Sequence, residues 1–331
     1  MVLIVKRLHF AVFCILLVLI HQNGRAQKLS SNETKDFRLR EDSLKSFADN
    51  IVVGEEPELR FRADSNFVRM LVRTLKLRNS YNYPFDSLET ISRLYAPDSS
   101  FRIFTWQLKK DAYTYFHRGA IQLRTQDGSL KLFPLHDVSS FTDRLSDSIR
   151  TPKNWIGVIY YRIILKTFKN KKYYTLLGYD DYSTASTRKW MEVMTFDDNE
   201  NPIFGGKYIS FKEDSVKRPA LLRFNIEYKK EAATTFNYDP ELDMILYDDL
   251  VSENNEPTHK ETLIPDGDFQ GFKWEEGQWV HVDKIFNFKL KDGDYPRDKM
   301  ILNEEGKPDE QKLQEQSNKN QKKQPAKKDG N

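Results

Sequence analysis

The stretch FRIFTWQLKKDAYTYFHRGAIQLRTQDGSLKLFPLHD, residues 101–137, decides the architecture. Apolar side chains alternate here with a period of two, whereas residues 37–95 follow the helical spacing of three and four. FRIFTWQL, YTYFHRGAIQLRT and LKLFPLHD read as three strands, separated by KKDA and by a turn at Asp127-Gly128. A two-residue turn there sets Gln126 opposite Ser129 and His117 opposite Val138. A four-residue KKDA loop sets Leu108 opposite Tyr113, Trp106 opposite Tyr115 and Phe104 opposite His117. In that register Phe104, Trp106, Leu108, Ile121 and Leu123 share a face, and burial of that face is expected to hold the sheet.

Working outward, the period-two signal recurs at Trp155–Thr167, Tyr173–Gly178, Trp190–Phe196, Arg223–Lys229, Thr234–Tyr238, Leu242–Tyr247, Gln270–Trp274 and Trp279–Ile285. So many short strands predict an antiparallel assembly: sandwich, barrel or propeller-like. Upstream, Leu44, Phe47, Ala48 and Ile51 form one helical stripe closed by Gly54. Phe67, Met70, Leu71 and Leu75 form a second, entered through Asp64-Ser65-Asn66. Asp86 and Glu89 have capping-box spacing ahead of Leu88, Ile91, Leu94 and Tyr95, which predicts a third, short helix. Residues 27–36 are polar and read as a loose leader. The fold class is therefore α+β, predominantly β: a helical segment over 27–98, a β-rich body over 99–298, and a Lys/Gln-rich tail over 299–331. The tail is too polar to offset its ordering entropy and is expected to be disordered.

The first 26 residues carry a different signal. Lys6 and Arg7 precede an apolar run of about 13 residues, Leu8 to Ile20, and Gly24-Arg25-Ala26 then places small residues at the −3 and −1 positions of a signal peptidase site. A membrane-crossing helix needs roughly 20 apolar residues, so cleavage after Ala26 is expected, with export to the periplasm or beyond. Removal takes Lys6, Arg7 and Arg25 from the 52 basic residues, which leaves as many as the 49 acidic ones. That balance offers no global attraction to nucleic acid. The single cysteine, Cys14, leaves as well, so stability must come from burial. No transmembrane span is expected after cleavage.

Candidate chemistry is sparse. In the register above His117 and His136 share a face on neighbouring strands, within reach of a common metal ion, although Asp137 would point to the opposite face; packed histidines are the plainer reading. If Glu275–Gln278 is a turn, Trp274 faces Trp279 and Phe272 faces His281. Those four either stabilise the sheet or form an aromatic platform for a sugar ring. Asp-Gly-Asp runs at 266–268 and 292–294 are ordinary turn chemistry, and the doublets Asp180-Asp181, Asp197-Asp198 and Asp248-Asp249 put adjacent carboxylates on opposite faces. Ser186-Thr187-Arg188-Lys189 lacks the companion motifs of its enzyme class. No cofactor is implied.

A three-residue pattern recurs at Ser43, Ser87, Ser148 and Ser215: each follows an aspartate and precedes Leu, Ile or Val. Asp-Ser before an apolar residue resembles the O-glycan acceptor used by an export-linked glycosylation system in some Gram-negative bacteria, and the layout as a whole resembles exported proteins of such bacteria. The expected role is a non-catalytic binding or envelope-associated protein, with envelope glycan or another envelope protein as partner. The alternative is a hydrolase of glycan or peptide. N-terminal sequencing of the native protein is expected to give a chain beginning at Gln27; helix-start chemistry is the plainer reading of Asp-Ser, and an intact mass above that of the polypeptide would support the glycan one. Retention of Met1 would remove the export reading, and a bare polypeptide mass the glycan one.

Overall fold

A computed structural model describes residues 29–285, apart from residues 112, 143 and 217. The expected leader at 1–26 and tail at 299–331 lie outside the described residues. Helix α1 (Ser31–Val53) starts where a capping box closes: the Ser30 hydroxyl accepts the Glu33 N–H and the Glu33 carboxylate accepts the Ser30 N–H. That box makes most of the expected loose leader helical. Helix α2 (Pro57–Leu75) has proline in its first turn, where the missing N–H costs nothing. It therefore starts ahead of the capping residues read from the sequence. Asp64 is instead buried and accepts the Trp106 indole N–H at 2.9 Å. The expected third helix is absent. Its span is two turns followed by strand β1 (Ser92–Tyr95). The Ser87 N–H is taken by Glu41 of α1 at 2.7 Å, and residues 92–95 find backbone partners on the next strand.

Sheet one runs β1, β2 (Phe101–Lys109), β3 (Tyr115–Leu123) and β4 (Lys131–His136), antiparallel in that order. Next come β5 (Ile159–Phe168), β6 (Lys171–Asp180), β7 (Ser186–Phe196), β8 (Pro202–Phe204), β9 (Ile209–Ser210) and β10 (Arg223–Lys229). Sheet two is ordered β10-β7-β6-β5, with β8 continuing the edge beside β7. The remaining strands are β11 (Phe236–Asp239), β12 (Met244–Ser252), β13 (Leu263–Glu275) and β14 (Gln278–Val282). Sheet three is ordered β11-β12-β13-β14-β9, and only its β14–β9 pairing is parallel.

Three apolar cores separate four layers. The helices pack Leu44, Ile51, Phe67 and Leu71 against Phe104, Trp106 and Leu108 of sheet one. The other face of that sheet sends Phe101, Ile103, Ile121 and Leu123 to Tyr174, Leu176, Trp190 and Met194 of sheet two. Sheet two in turn sends Leu177, Met191, Val193 and Ile226 to Ile245, Tyr247, Phe272 and Trp279 of sheet three. Two inner sheets are thus covered on both sides, and all of FRIFTW is buried. This corrects the expected register. Trp106 stands opposite Arg118 and Phe104 opposite Ala120, while Arg118 stands opposite β4's His136, where the expected pairing of His117 with Val138 would have put Gly119. The Asp127-Gly128 turn is part of a wider loop, closed by Asp127 accepting the Ser129 N–H and hydroxyl and docked by the Asn79 N–H on the Gly128 carbonyl. Gly128 has φ +74° there, and a side chain would strike Asn79. An odd shift in register exchanges the two faces of a strand.

Between sheets one and two lies a buried polar chain. Arg223 donates to Glu192 at 2.6 Å with both residues sealed from water. Tyr160 donates to the other Glu192 oxygen and accepts the Trp155 indole N–H at 2.7 Å. The remaining Arg223 donors reach the Ser148 and Phe204 carbonyls, and Arg150 holds those of Leu145 and Asn154. Arg223→Met, measured by urea unfolding, is expected to cost about 3–5 kcal/mol because it strands a buried carboxylate. Replacing Glu192 by Leu in the same chain should recover most of that loss.

Candidate functional site

At one end of the interface between sheets one and two the layers diverge, leaving a cleft of about 730 Å³. His117 comes from β3 on one side; Asp180, Arg188, Trp190 and Asn225 come from β6, β7 and β10 on the other. Residues 139, 140, 142 and 144–147 form much of its wall, and the Arg150 and Arg223 contacts with the Leu145 and Ser148 carbonyls fix that wall in place. Sheet register aligns the floor. Arg188 and Trp190 are two apart on one face, with Glu227 and Asn225 opposite them, and Asp180 is paired with Arg188. Gly178, opposite Trp190, leaves room for the Tyr160 and Val158 side chains.

His117 is 3% exposed and stands between two carboxylates. Asp137 Oδ2 accepts the His117 backbone N–H at 3.0 Å and lies 3.3 Å from Nδ1; its Oδ1 accepts the Ser139 N–H at 2.8 Å. Gly157 has φ +70° and backs onto Asp137 so closely that a Cβ would lie 2.3 Å from Oδ1. Asp180 Oδ1 accepts the Tyr182 N–H at 2.9 Å and lies 3.6 Å from His117 Nε2. Asp137 at Nδ1 orients the ring and turns Nε2 toward Asp180 and the cleft. Among the described residues no hydrogen bond reaches Nε2 or the buried Trp190 Nε1–H. Arg188 stacks over the Tyr182 ring and commits its Nε–H to Glu227 at 2.8 Å. Among the described residues no hydroxyl or thiol hydrogen-bonds His117, so the triad arrangement of a serine or cysteine hydrolase is not formed.

The two carboxylates are driven in opposite directions. Burial raises Asp180 above the ordinary carboxylate range, and the neighbouring His117 and Arg188 only partly offset it. Burial would raise Asp137 too, but the His117 and Ser139 hydrogen bonds outweigh it and hold the group low.

The expected metal pair is not formed. His136 falls on the opposite face of sheet one, exposed and lining a separate cavity beside α2, while the neighbour that reaches His117 is Asp137. The one-residue shift in register is the cause. Among the described residues no three His, Cys, Asp or Glu side chains are grouped to hold a metal ion. The aromatic quartet pairs as the turn length required, Trp274 with Trp279 and Phe272 with His281. It is not an exposed platform, however. Phe272 and Trp279 are fully buried in the core beneath sheet three. Trp274 packs on Tyr173, and His281 bonds Asp214 and Tyr247 at 2.8 Å each. Of the acceptor serines, Ser148 and Ser215 are exposed in loops, Ser43 is exposed on α1, and Ser87 is half-buried. The sequence reading missed Trp190, Arg188 and Asp180 as a group. Only the spacing Arg188-x-Trp190 was visible, and it carries no motif.

Comparison with protein-family models, with curated proteins and with solved structures found no match to this chain.

The opposite titrations give a pH signature. Asp137, held low in the folded state, stabilises above the unfolded carboxylate value of about 3.9. That contribution is lost as pH falls through its folded value. Asp180, held high, lowers stability as pH rises from about 3.9 through its folded value. Asp180→Asn is therefore expected to raise the urea midpoint at neutral pH, with the gain vanishing below about pH 4. Asp137→Asn is expected to lower the neutral midpoint, with the difference shrinking toward acid.

Proposed function

We propose that the chain is an exported, non-catalytic binding protein whose cleft takes a hydroxyl-rich ligand, with envelope glycan as the leading class. The observation that carries the reading is a pair of buried atoms without a hydrogen-bond partner among the described residues, one from each side of the cleft: His117 Nε2 and the Trp190 Nε1–H. Leaving a buried polar group unsatisfied costs about 1–3 kcal/mol, which a ligand or water in the cleft relieves. A sugar hydroxyl both donates and accepts, so it can give its proton to Nε2 while a neighbouring oxygen accepts from the indole. At 3.6 Å Asp180 Oδ1 is too far from Nε2 for a good hydrogen bond, so both atoms keep capacity for a ligand hydroxyl beside them. Tyr113 and Tyr182 at the rim are partly exposed and offer rings for stacking. The same cleft can serve a protein partner only through a chain that reaches its floor.

One feature favours a second reading, hydrolysis of a glycan or peptide. Two carboxylates of opposite titration flanking a histidine are the arrangement by which a site separates an acid from a base. Asp180 would then supply a proton and His117, oriented by Asp137, would accept one.

Purified cell-wall glycan fragments, incubated with the protein and assayed for retention and cleavage in the same tubes, separate the readings. Binding without cleavage is expected. Trp190→Phe and His117→Gln are each expected to weaken retention about tenfold, equivalent to ~1.4 kcal/mol, with the near-ultraviolet spectrum otherwise preserved. Cleavage abolished by Asp180→Asn would establish the second reading. Failure to retain any saccharide would remove the first.

A further inference from the structure

A second cavity, of about 850 Å³, lies on the helical side of sheet one between α1, the 81–87 segment and Tyr95. Behind its wall is Arg102 of β2, with 0% exposure. Its hydrogen bonds go to neutral acceptors: the Gln122 amide oxygen at 2.9 Å, the Ser80 and Tyr83 carbonyls, and the Tyr95 hydroxyl at 2.8 Å. Among the described residues no carboxylate pairs with it, unlike the equally buried Arg223. Burial favours the uncharged form of Arg102 but cannot discharge a guanidinium at working pH. Neutral acceptors and the surrounding rings solvate the cation locally without cancelling its charge, so its field extends into the nearest open space at low dielectric.

That space is the cavity. The rings of Tyr81 and Tyr95 belong to its wall, and each centroid is 5.6 Å from the guanidinium carbon. At the mouth stand two more guanidinium groups, Arg38 of α1 and Arg124 just past β3, both exposed. Neither takes part in an ion pair among the described residues. Two acids lie on the same wall. Glu41 is buried and spends its oxygens on the Tyr83 hydroxyl and the Ser87 N–H, and Asp86 is exposed and 3.7 Å from Arg93. Three cations thus face two acids; Asp86 is matched by Arg93, and Glu41, bonded only to neutral groups, offsets one positive charge, so the wall keeps a positive excess carried by the two exposed guanidiniums. The rest of the wall is largely tyrosine, proline and leucine.

We propose that this cavity binds a small organic anion, a carboxylate or phosphate on a flat apolar body. Arg38 and Arg124 hold the anionic end, Arg102 supplies a fixed positive field behind it, and the Tyr81 and Tyr95 rings receive the body. A purely structural role for Arg102, tying Ser80, Tyr83 and Tyr95 to the sheet, accounts for its hydrogen bonds. It does not account for a charged residue where uncharged Gln or Met would pack, or for the two unpaired guanidiniums above it. The site lies on the opposite side of sheet one from the His117 cleft and is independent of the glycan reading.

Calorimetric titration of the full chain at low ionic strength tests this with three ligands: phenyl phosphate, benzoate and phenol. At least one anion is expected to bind, with affinity falling about tenfold in the Arg38→Gln/Arg124→Gln chain and falling also with added salt, and phenol is expected to show no binding. The preferred anion tells phosphate from carboxylate. Both substitutions are at exposed positions, so a cooperative urea transition in the variant separates loss of the site from loss of the fold. The proposal is overturned if neither anion binds, if the double variant binds as tightly as the parent, or if phenol binds as well as the anions.

Discussion

The Arg223–Glu192 pair, sealed between sheets one and two, is the contact on which the rest is arranged. A carboxylate in that position is tolerable only if its oxygens are fully engaged, and they are, by Arg223 on one side and Tyr160 on the other. The engagement runs outward in both directions. Through Tyr160 it fixes the Trp155 indole, whose edge packs against the His117 ring. Through the free arms of Arg223 it holds the carbonyls of a loop with little apolar content of its own. A methionine at 223 could fill the volume but could not hold that backbone. The pair therefore contributes shape to the cleft as well as stability to the interface.

The cleft exists because the two inner sheets cannot remain in contact along their whole length. Where they touch, both present large apolar side chains. Toward the end of β6 and the start of β3 the facing residues become Asp180, Arg188 and His117, which pack poorly and carry hydrogen-bonding demands. Those demands are only partly met among the described residues: Asp137 serves one His117 nitrogen, and the other has Asp180 at 3.6 Å and no hydrogen bond. Polar residues left incomplete at a layer edge are costly to stability. Their arrangement on paired strands, with rotamers set by the sheet, suits a site prepared for an oxygen-rich guest.

Much of the architecture was legible from residues alone. The change of period at Phe101, the Trp274–Trp279 and Phe272–His281 pairings and the span of β10 follow from short-range rules, because a tight turn fixes register when nothing else intervenes. The rules failed where tertiary contacts intervened. Ser87 found its partner on α1, so the span after Asp86 never needed to become helical. The loop around Gly128 is held by Asn79, a residue remote in sequence, which widened it and slid β3 against β4. That single slip turned an apparent His117–His136 pair into a His117–Asp137 pair. The inner strands also hid their two-sidedness: Arg102 and Thr105 lie on opposite faces of β2 and both are fully buried. The cleft itself was illegible because its members come from five separate segments and acquire meaning only by juxtaposition.

Arg102 and Arg223 show how much that context decides. Both guanidiniums are buried in strands, and each has donors satisfied by backbone carbonyls. Arg223 has a carboxylate in van der Waals reach, so its charge is cancelled within the core and little field escapes. Arg102 has aromatic faces and neutral oxygens instead, which lower its desolvation cost but leave a net positive charge close behind the wall of a cavity. Glu41 in the same wall offsets one charge, and the excess that remains with Arg38 and Arg124 at the mouth is met from outside the protein, by counterions in bulk water or by a bound anion. The presence of a concave, partly apolar space directly in front of the uncancelled charge favours the bound species, because there the interaction is less screened than at an open surface.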